Sequence, residues 1–171
     1  MKKNLVLTGM MGVGKSTVGK KLAKKLGLKF VDVDQLIEKK EKVRIKDIFE
    51  NKGENYFRKI EKQITLDVLK NKNLLIALGG GAFLNSSIRK EIKNSCISFW
   101  LDLNLKILST RLKNVRKRPL LDKDDLEGSI NRIYSERKKI YSESDYRIKI
   151  KSTKANEVID KIIKLYENRP N

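Results

Sequence analysis

Gly9-Met10-Met11-Gly12-Val13-Gly14-Lys15-Ser16 fits the pattern G-x-x-x-x-G-K-[ST], in which small residues let successive backbone N–H groups curl around phosphate oxygens. The run follows the apolar stretch Leu5-Val6-Leu7-Thr8. It precedes a segment in which Val18, Leu22 and Leu26 recur every four residues up to Gly27. It therefore stands between a buried strand and an amphipathic helix closed by a glycine. In that setting the positive end of the helix dipole points at the same phosphates. Lys15 adds a point charge near the β- and γ-phosphates of a nucleoside triphosphate, and the Ser16 hydroxyl is placed to ligate Mg²⁺. Gly12, Val13, Gly14, Lys15, Ser16 and Thr17 are thus the nucleotide-binding candidates. The motif specifies an NTP-binding fold but no acceptor.

Acceptor candidates lie downstream. Asp32 and Asp34 stand two apart at the end of a predicted strand, and the period of a strand places both carboxylates on one side, at the sheet end where ligands bind in open α/β folds. One could hold metal-bound water while the other addresses a hydroxyl. The alternative for Asp34 is to cap the helix that begins near Gln35. Arg58 and Glu61, three apart in Gly53-Glu54-Asn55-Tyr56-Phe57-Arg58-Lys59-Ile60-Glu61, are neighbours on a helix surface, where an ordinary ion pair is the plainer reading. Gly79-Gly80-Gly81 offers backbone that a substrate can approach closely, or a tight turn. Arg116-Lys117-Arg118-Pro119-Leu120-Leu121 lies in a basic, proline-containing segment, and Arg137 on the helix after it.

Composition narrows the chemistry. The chain has no histidine, which removes histidine-based triads and metal sites and leaves carboxylates or lysines as bases. Its single cysteine, Cys96, sits in the apolar run Cys96-Ile97-Ser98-Phe99-Trp100-Leu101, where a buried, inert thiol is expected and an internal disulfide is impossible. Forty Lys and Arg against 21 Asp and Glu give a net charge of +19. Lysines such as Lys20, Lys21, Lys24 and Lys25 fall between apolar helix positions, as a solvated face would, so neither nucleic acid nor membrane is an expected partner. No apolar run approaches the roughly 18 residues of a membrane span, and a cytoplasmic protein is expected.

The elements that must position these residues follow from periodicity. Strands are predicted near 5–8, 30–33, 74–78, 96–101 and 146–150. Helices are predicted from about 15, over 35–42, 45–52, 55–69, 86–93, 104–112, 126–142 and 154–167. Phe57, Ile60, Ile64 and Val68 mark one buried helix face, and Val158, Ile159, Ile162 and Ile163 another. Strands alternating with helices predict a three-layer α/β/α sandwich with a central parallel sheet of about five strands, a single domain over 1–171. The acceptor-binding region falls at about 33–61. The basic segment at about 112–126 reads as a mobile lid.

Taken in order, GMMGVGKS at 9–16, DVD at 32–34, GENYFRKIE at 53–61, GGG at 79–81, RPLL at 118–121 and RKKIY at 137–141 resemble the shikimate kinase family along nearly the whole chain. The resemblance implies a fold like that of nucleoside monophosphate kinases and a requirement for ATP with Mg²⁺. It also implies phosphorylation of the shikimate 3-hydroxyl on the route to chorismate and aromatic amino acids. By that resemblance Arg58 and Arg137 grip the shikimate carboxylate, with Glu61 beside them, and Asp34 binds the acceptor hydroxyl. Gly79, Gly80 and Gly81 line the ring, and Arg111 lies against the adenine. Arg118 reaches the phosphates from the lid and joins Lys15 and Asp34 as a catalytic residue. Arginine's planar fork suits a carboxylate better than lysine's point charge, and these arginines are scarce in a lysine-rich chain. The strand at 74–78 ends in glycines instead of a metal-binding aspartate, which leaves Asp32, with Ser16, as the expected metal ligand, directly or through water. A monomer is expected. The rivals are another small-molecule kinase, such as a gluconate or nucleoside monophosphate kinase, and a nucleic-acid-binding protein that uses ATP as a switch. The second predicts a basic stripe with interleaved aromatics, whereas the aromatics here are scattered.

Overall fold

The computed structural model describes residues 3–113, 119–122, 124–151 and 154–168. Short, almost wholly apolar strands, β1 (Asn4–Thr8), β3 (Leu74–Ala77) and β4 (Cys96–Leu103), form the middle of a five-stranded sheet, with β2 (Lys29–Asp32) and β5 (Tyr146–Ile150) at its edges. The order is β2-β3-β1-β4-β5 and every pairing is parallel. Central parallel strands are covered on both faces, which is why β1 and β3 carry no alternation of polar and apolar residues.

Right-handed crossovers then fix the layers. The step from β1 to β2 runs one way across the sheet and carries α1 (Lys15–Leu26). The later steps run the other way and carry α2 (Val33–Glu41), α3 (Ile45–Leu69), α4 (Ser86–Ser95), α5 (Leu105–Lys113) and α6 (Leu126–Tyr141). The closing helix α7 (Ala155–Glu167) returns to lie beside α1. The connections leaving β1 and its neighbour β4 run in opposite directions across the sheet, so the loop after β1 opens at the switch point. Cys96 is buried in the core at the start of β4, as expected, and burial pushes its thiol pKa up.

Two local features differ from the periodic reading. The two helices expected over 45–52 and 55–69 run as one element with a break at Gly53, whose φ of 78° and ψ of 168° suit glycine. A Cβ there would meet nothing within 4 Å, so the conformation and not space calls for glycine. The break turns the first half of α3 so that Phe49 meets Phe57, ring centroids 4.7 Å apart. The second difference is at β2, expected to reach Val33. The strand stops at Asp32, which is extended and accepts the Gln35 N–H at 3.3 Å, capping α2. Asp34 is therefore a residue of the first helical turn, and the expected strand-side pairing of the two aspartates does not occur.

Candidate active site

The loop from Gly9 to Gly14 joins β1 to α1. α2, α4 and α6 each receive a side-chain cap, from Asp32, Asn85 and Asp125, whereas α1, like α3 and α7, has none among the described residues, and α1 alone of these three follows a glycine-rich loop. Its first-turn N–H groups are thus presented toward the loop, the arrangement that binds phosphate. Lys15 is 8 % exposed, and its ammonium donates to the Gly9 and Met10 carbonyls at 2.9 Å each, which holds the charge within the loop. Arg111, from α5, donates to the Gly12 and Val13 carbonyls at 3.4 and 3.3 Å, so the residue expected against the adenine stands at the rim of the phosphate loop.

Ser16 donates to Asp32 Oδ2 at 2.5 Å. Here a hydroxyl on the first turn of α1 and a carboxylate at the end of β2 face each other beside the loop. Both are hard oxygen donors, and with phosphate oxygens they fit Mg²⁺, which retains water and needs few protein ligands. Among the described residues no cluster of three or more His, Cys, Asp or Glu could hold a metal ion.

The acceptor side is assembled from distant segments. Met11, Asp34, Ile45, Phe49, Phe57, Arg58, Glu61, Gly80, Gly81, Pro119, Leu120 and Arg137 line one pocket next to the phosphate loop. Asp34 and Glu61 reach it from α2 and α3 and converge on Gly79. A Cβ there would lie 2.6 Å from Glu61 Oε1 and 2.7 Å from Asp34 Oδ1. Arg58 donates to Glu61 at 2.7 Å and to Glu54 at 3.0 Å. Its guanidinium would lie 2.4 Å from a Cβ on Gly81. At Gly79 and Gly81 a side chain would collide with these charged groups, so glycine is required by the space they occupy. The Arg58–Glu61 contact is indeed an ion pair, but Glu61 is only 2 % exposed, which makes it no ordinary surface bridge.

Burial of Glu61 pushes its carboxyl pKa up, opposed by Arg58 and reinforced by the charge of Asp34. For Arg58, burial pulls the pKa down but Glu61 and Glu54 outweigh it, so the guanidinium is held charged. Arg137, 7 % exposed on α6, donates to the Gly80 carbonyl at 3.1 Å. Two guanidiniums from different helices thus meet over one glycine loop, with a carboxylate beside them.

Of the expected site residues, Arg118 and its neighbours at 114–117 lie outside the described residues, as does residue 123. The described part of the expected lid includes Pro119 and Leu120, which line the pocket beside the phosphate loop. Periodicity assigned Phe57 to a buried face but gave no sign that Ile45, Phe49 or Leu120 would form pocket walls. The one available signal was Gly53, whose break folds α3 around the pocket.

A family model described as shikimate kinase matches residues 11–167. The shikimate kinase of Persephonella marina is 44 % identical over 94 % of this chain and 97 % of its own length, and that of Sulfurihydrogenibium sp. 41 % identical over 98 % and 99 %. The structure of shikimate kinase from Acinetobacter baumannii in complex with shikimate superposes with a TM-score of 0.95 at 32 % identity, covering 100 % of this chain and 97 % of that one. A gluconokinase from Sinorhizobium meliloti, at a TM-score of 0.57 and 15 % identity over 97 % of this chain and 94 % of its own, shares the fold alone. With a phosphate loop, a neighbouring carboxylate and the paired arginines all in place, the chain belongs to the shikimate kinase family.

Proposed function

We propose that this chain transfers the γ-phosphoryl group of ATP to the 3-hydroxyl of shikimate, giving shikimate 3-phosphate and ADP for chorismate and aromatic amino acid synthesis. The observation that carries this reading is the meeting of Arg58 and Arg137 at Gly80 and Gly81, beside Asp34 and against the phosphate loop. Two planar, permanently charged forks in a pocket lined by Phe49, Phe57 and Ile45 suit a small carboxylate on a hydroxylated carbon ring, whose C–H faces can lie against the apolar walls.

The roles divide by position. Gly12, Val13, Gly14, Ser16 and Thr17 cradle the phosphates through backbone N–H groups, and Lys15 leaves its loop carbonyls to neutralise the transferring group. Asp34 orients the acceptor hydroxyl and takes its proton as the oxygen attacks phosphorus. Glu61 holds Arg58, while Gly79, Gly80 and Gly81 keep side chains out of the ring's space. Arg111 flanks the adenine, and Arg118 brings a cation from the lid, at about 112–126, to the transition state. Mg²⁺, held by Ser16 and Asp32, would offset charge on the β- and γ-phosphates. The whole of 1–171 acts as a single kinase domain, with its acceptor region at about 33–61. It works as a cytoplasmic monomer on two small-molecule substrates, without nucleic acid. Among the described residues no helix is long and apolar enough to cross a membrane.

The test is ADP release with shikimate, gluconate and nucleoside monophosphates offered in turn to the parent, Arg58→Ala and Arg137→Ala proteins. Shikimate should be the acceptor used. Each arginine variant should lose roughly 2–5 kcal/mol in kcat/KM for it while KM for ATP changes little. Parent-like kcat/KM for shikimate in both variants refutes the assignment of the acceptor.

A further inference from the structure

The Gly80 carbonyl is shared. It accepts from Arg137 at 3.1 Å and also from the hydroxyl of Tyr141, the last residue of α6. Tyr141 lies four residues after Arg137, on the same face of the helix, and is 0 % exposed. Its ring packs against Trp100 with centroids 5.9 Å apart. Trp100 is itself 1 % exposed and sits close enough to the first glycine of the phosphate loop that a Cβ on Gly9 would lie 3.3 Å from the indole Cδ1. The phenol is thus clamped in the core, with its hydroxyl aimed at one backbone oxygen.

We propose that Tyr141 is a positioning residue for the acceptor site, which fixes the Gly80 carbonyl and, through it, the orientation of the Arg137 guanidinium. Arginine carries five N–H donors on a plane that can rotate about its long stem. A carbonyl held in place by a second donor gives that plane a fixed anchor on one side, so its remaining edge meets an anion in one orientation. Burial pushes the Tyr141 pKa up, opposed by Arg137, which keeps the hydroxyl protonated and donating at neutral pH. Had Tyr141 served only to fill the core, a phenylalanine would suffice. The buried hydroxyl must earn its desolvation through the bond to Gly80.

This inference rests on Arg137 as a ligand of the shikimate carboxylate, and the experiment separates the two. Steady-state kinetics on the full chain would compare the parent, Tyr141→Phe, Arg137→Ala and the double variant. Tyr141→Phe should raise KM for shikimate roughly fivefold, about what one neutral hydrogen bond can contribute, and leave KM for ATP within twofold. Because the effect runs through Arg137, adding Tyr141→Phe to Arg137→Ala should change KM for shikimate by less than twofold. Incorporating 4-fluorophenylalanine at 141 fills the hydroxyl's volume with an atom that donates no hydrogen bond. It should reproduce the Tyr141→Phe result, and it supplies the measurement if the small cavity left by phenylalanine unfolds the chain. A Tyr141→Phe protein with parent-like KM for shikimate, equal effects in both arginine backgrounds, or a fluorinated variant that restores parent kinetics would each overturn the proposal. An Arg137→Ala protein with unchanged KM for shikimate would remove the carboxylate reading as well.

Discussion

The phosphate loop and the acceptor pocket lie side by side, yet they are built in opposite ways. The loop is one contiguous run, 9–16. Its anion-binding donors are main-chain N–H groups, and even its lysine is held by carbonyls five and six residues away. The pocket draws on α2, both halves of α3, the 79–81 turn and α6, and contacts such as that between Arg137 and Gly80 span 57 residues. Its donors are guanidiniums on long stems, each held by an acceptor: Glu61 and Glu54 for Arg58, the Gly80 carbonyl, which Tyr141 also uses, for Arg137. A main-chain site is oriented by φ and ψ alone and so tolerates little change at its glycines. A side-chain site must spend further residues on orientation, and those residues are as informative as the ligands themselves.

The contrast is sharpest at Asp34, whose proposed role has no counterpart in the loop. Asp34→Asn keeps size and helix position but removes the charge that, on the proposed reading, accepts a proton. It should lower kcat by about 10³-fold, within the range for loss of a general base, with nucleotide binding retained. Pre-steady-state ADP formation and equilibrium ADP titration would separate these. Near-normal turnover would make Asp34 only a residue of the first turn of α2.

A smaller effect distinguishes the two regions directly. In Gly12→Ala the new methyl meets Leu112 Cδ2 at 2.8 Å at a φ of 77°, so KM for ATP should rise about tenfold, with shikimate less affected. In Gly81→Ala, φ is an ordinary −102°, but the methyl enters the space of the Arg58 guanidinium. There KM for shikimate should rise by a similar factor and KM for ATP should hold. If both variants disturb both substrates equally, the two regions form one mechanical unit and the comparison fails.

The least effect is on stability and concerns Glu61. Its folded-state pKa is raised above the ordinary 4.5 by burial, so the ionised form is disfavoured on folding. That group's contribution is most favourable below the unfolded pKa and is lost as pH rises through the folded one. Glu61→Gln cannot ionise and escapes this loss. The Tm of the variant relative to the parent should therefore increase as pH is raised from about 4 toward neutrality in melts at constant ionic strength. A difference that is flat or falls with pH would mean that pairing with Arg58 outweighs the burial of the carboxylate.

The strand-loop-helix around Lys15, the parallel α/β architecture and the Arg58–Glu61 pair were legible from residue order, whereas a place for Arg137 beside them was implied only by the family resemblance. Each of the legible features depends on spacing along the chain: a motif of fixed length, a helical i, i+3 pair, or apolar runs of strand length. The sequence also determined the chemistry on offer, since a chain without histidine leaves proton transfer to a carboxylate or a lysine. The separate fates of Asp32 and Asp34 were decided only by the tertiary structure. A strand extended by two residues would have put both on one face, but Asp32 caps α2, and the change from strand to helix sends Asp32 to Ser16 and Asp34 to Gly79 and Glu61. The pocket walls at Ile45, Phe49 and Leu120, the burial of Glu61 and the sharing of the Gly80 carbonyl by Arg137 and Tyr141 belong to the same class. Periodicity reports which face of an element is buried. Which buried faces meet depends on crossover order and on the break at Gly53, and only the folded chain brings those together.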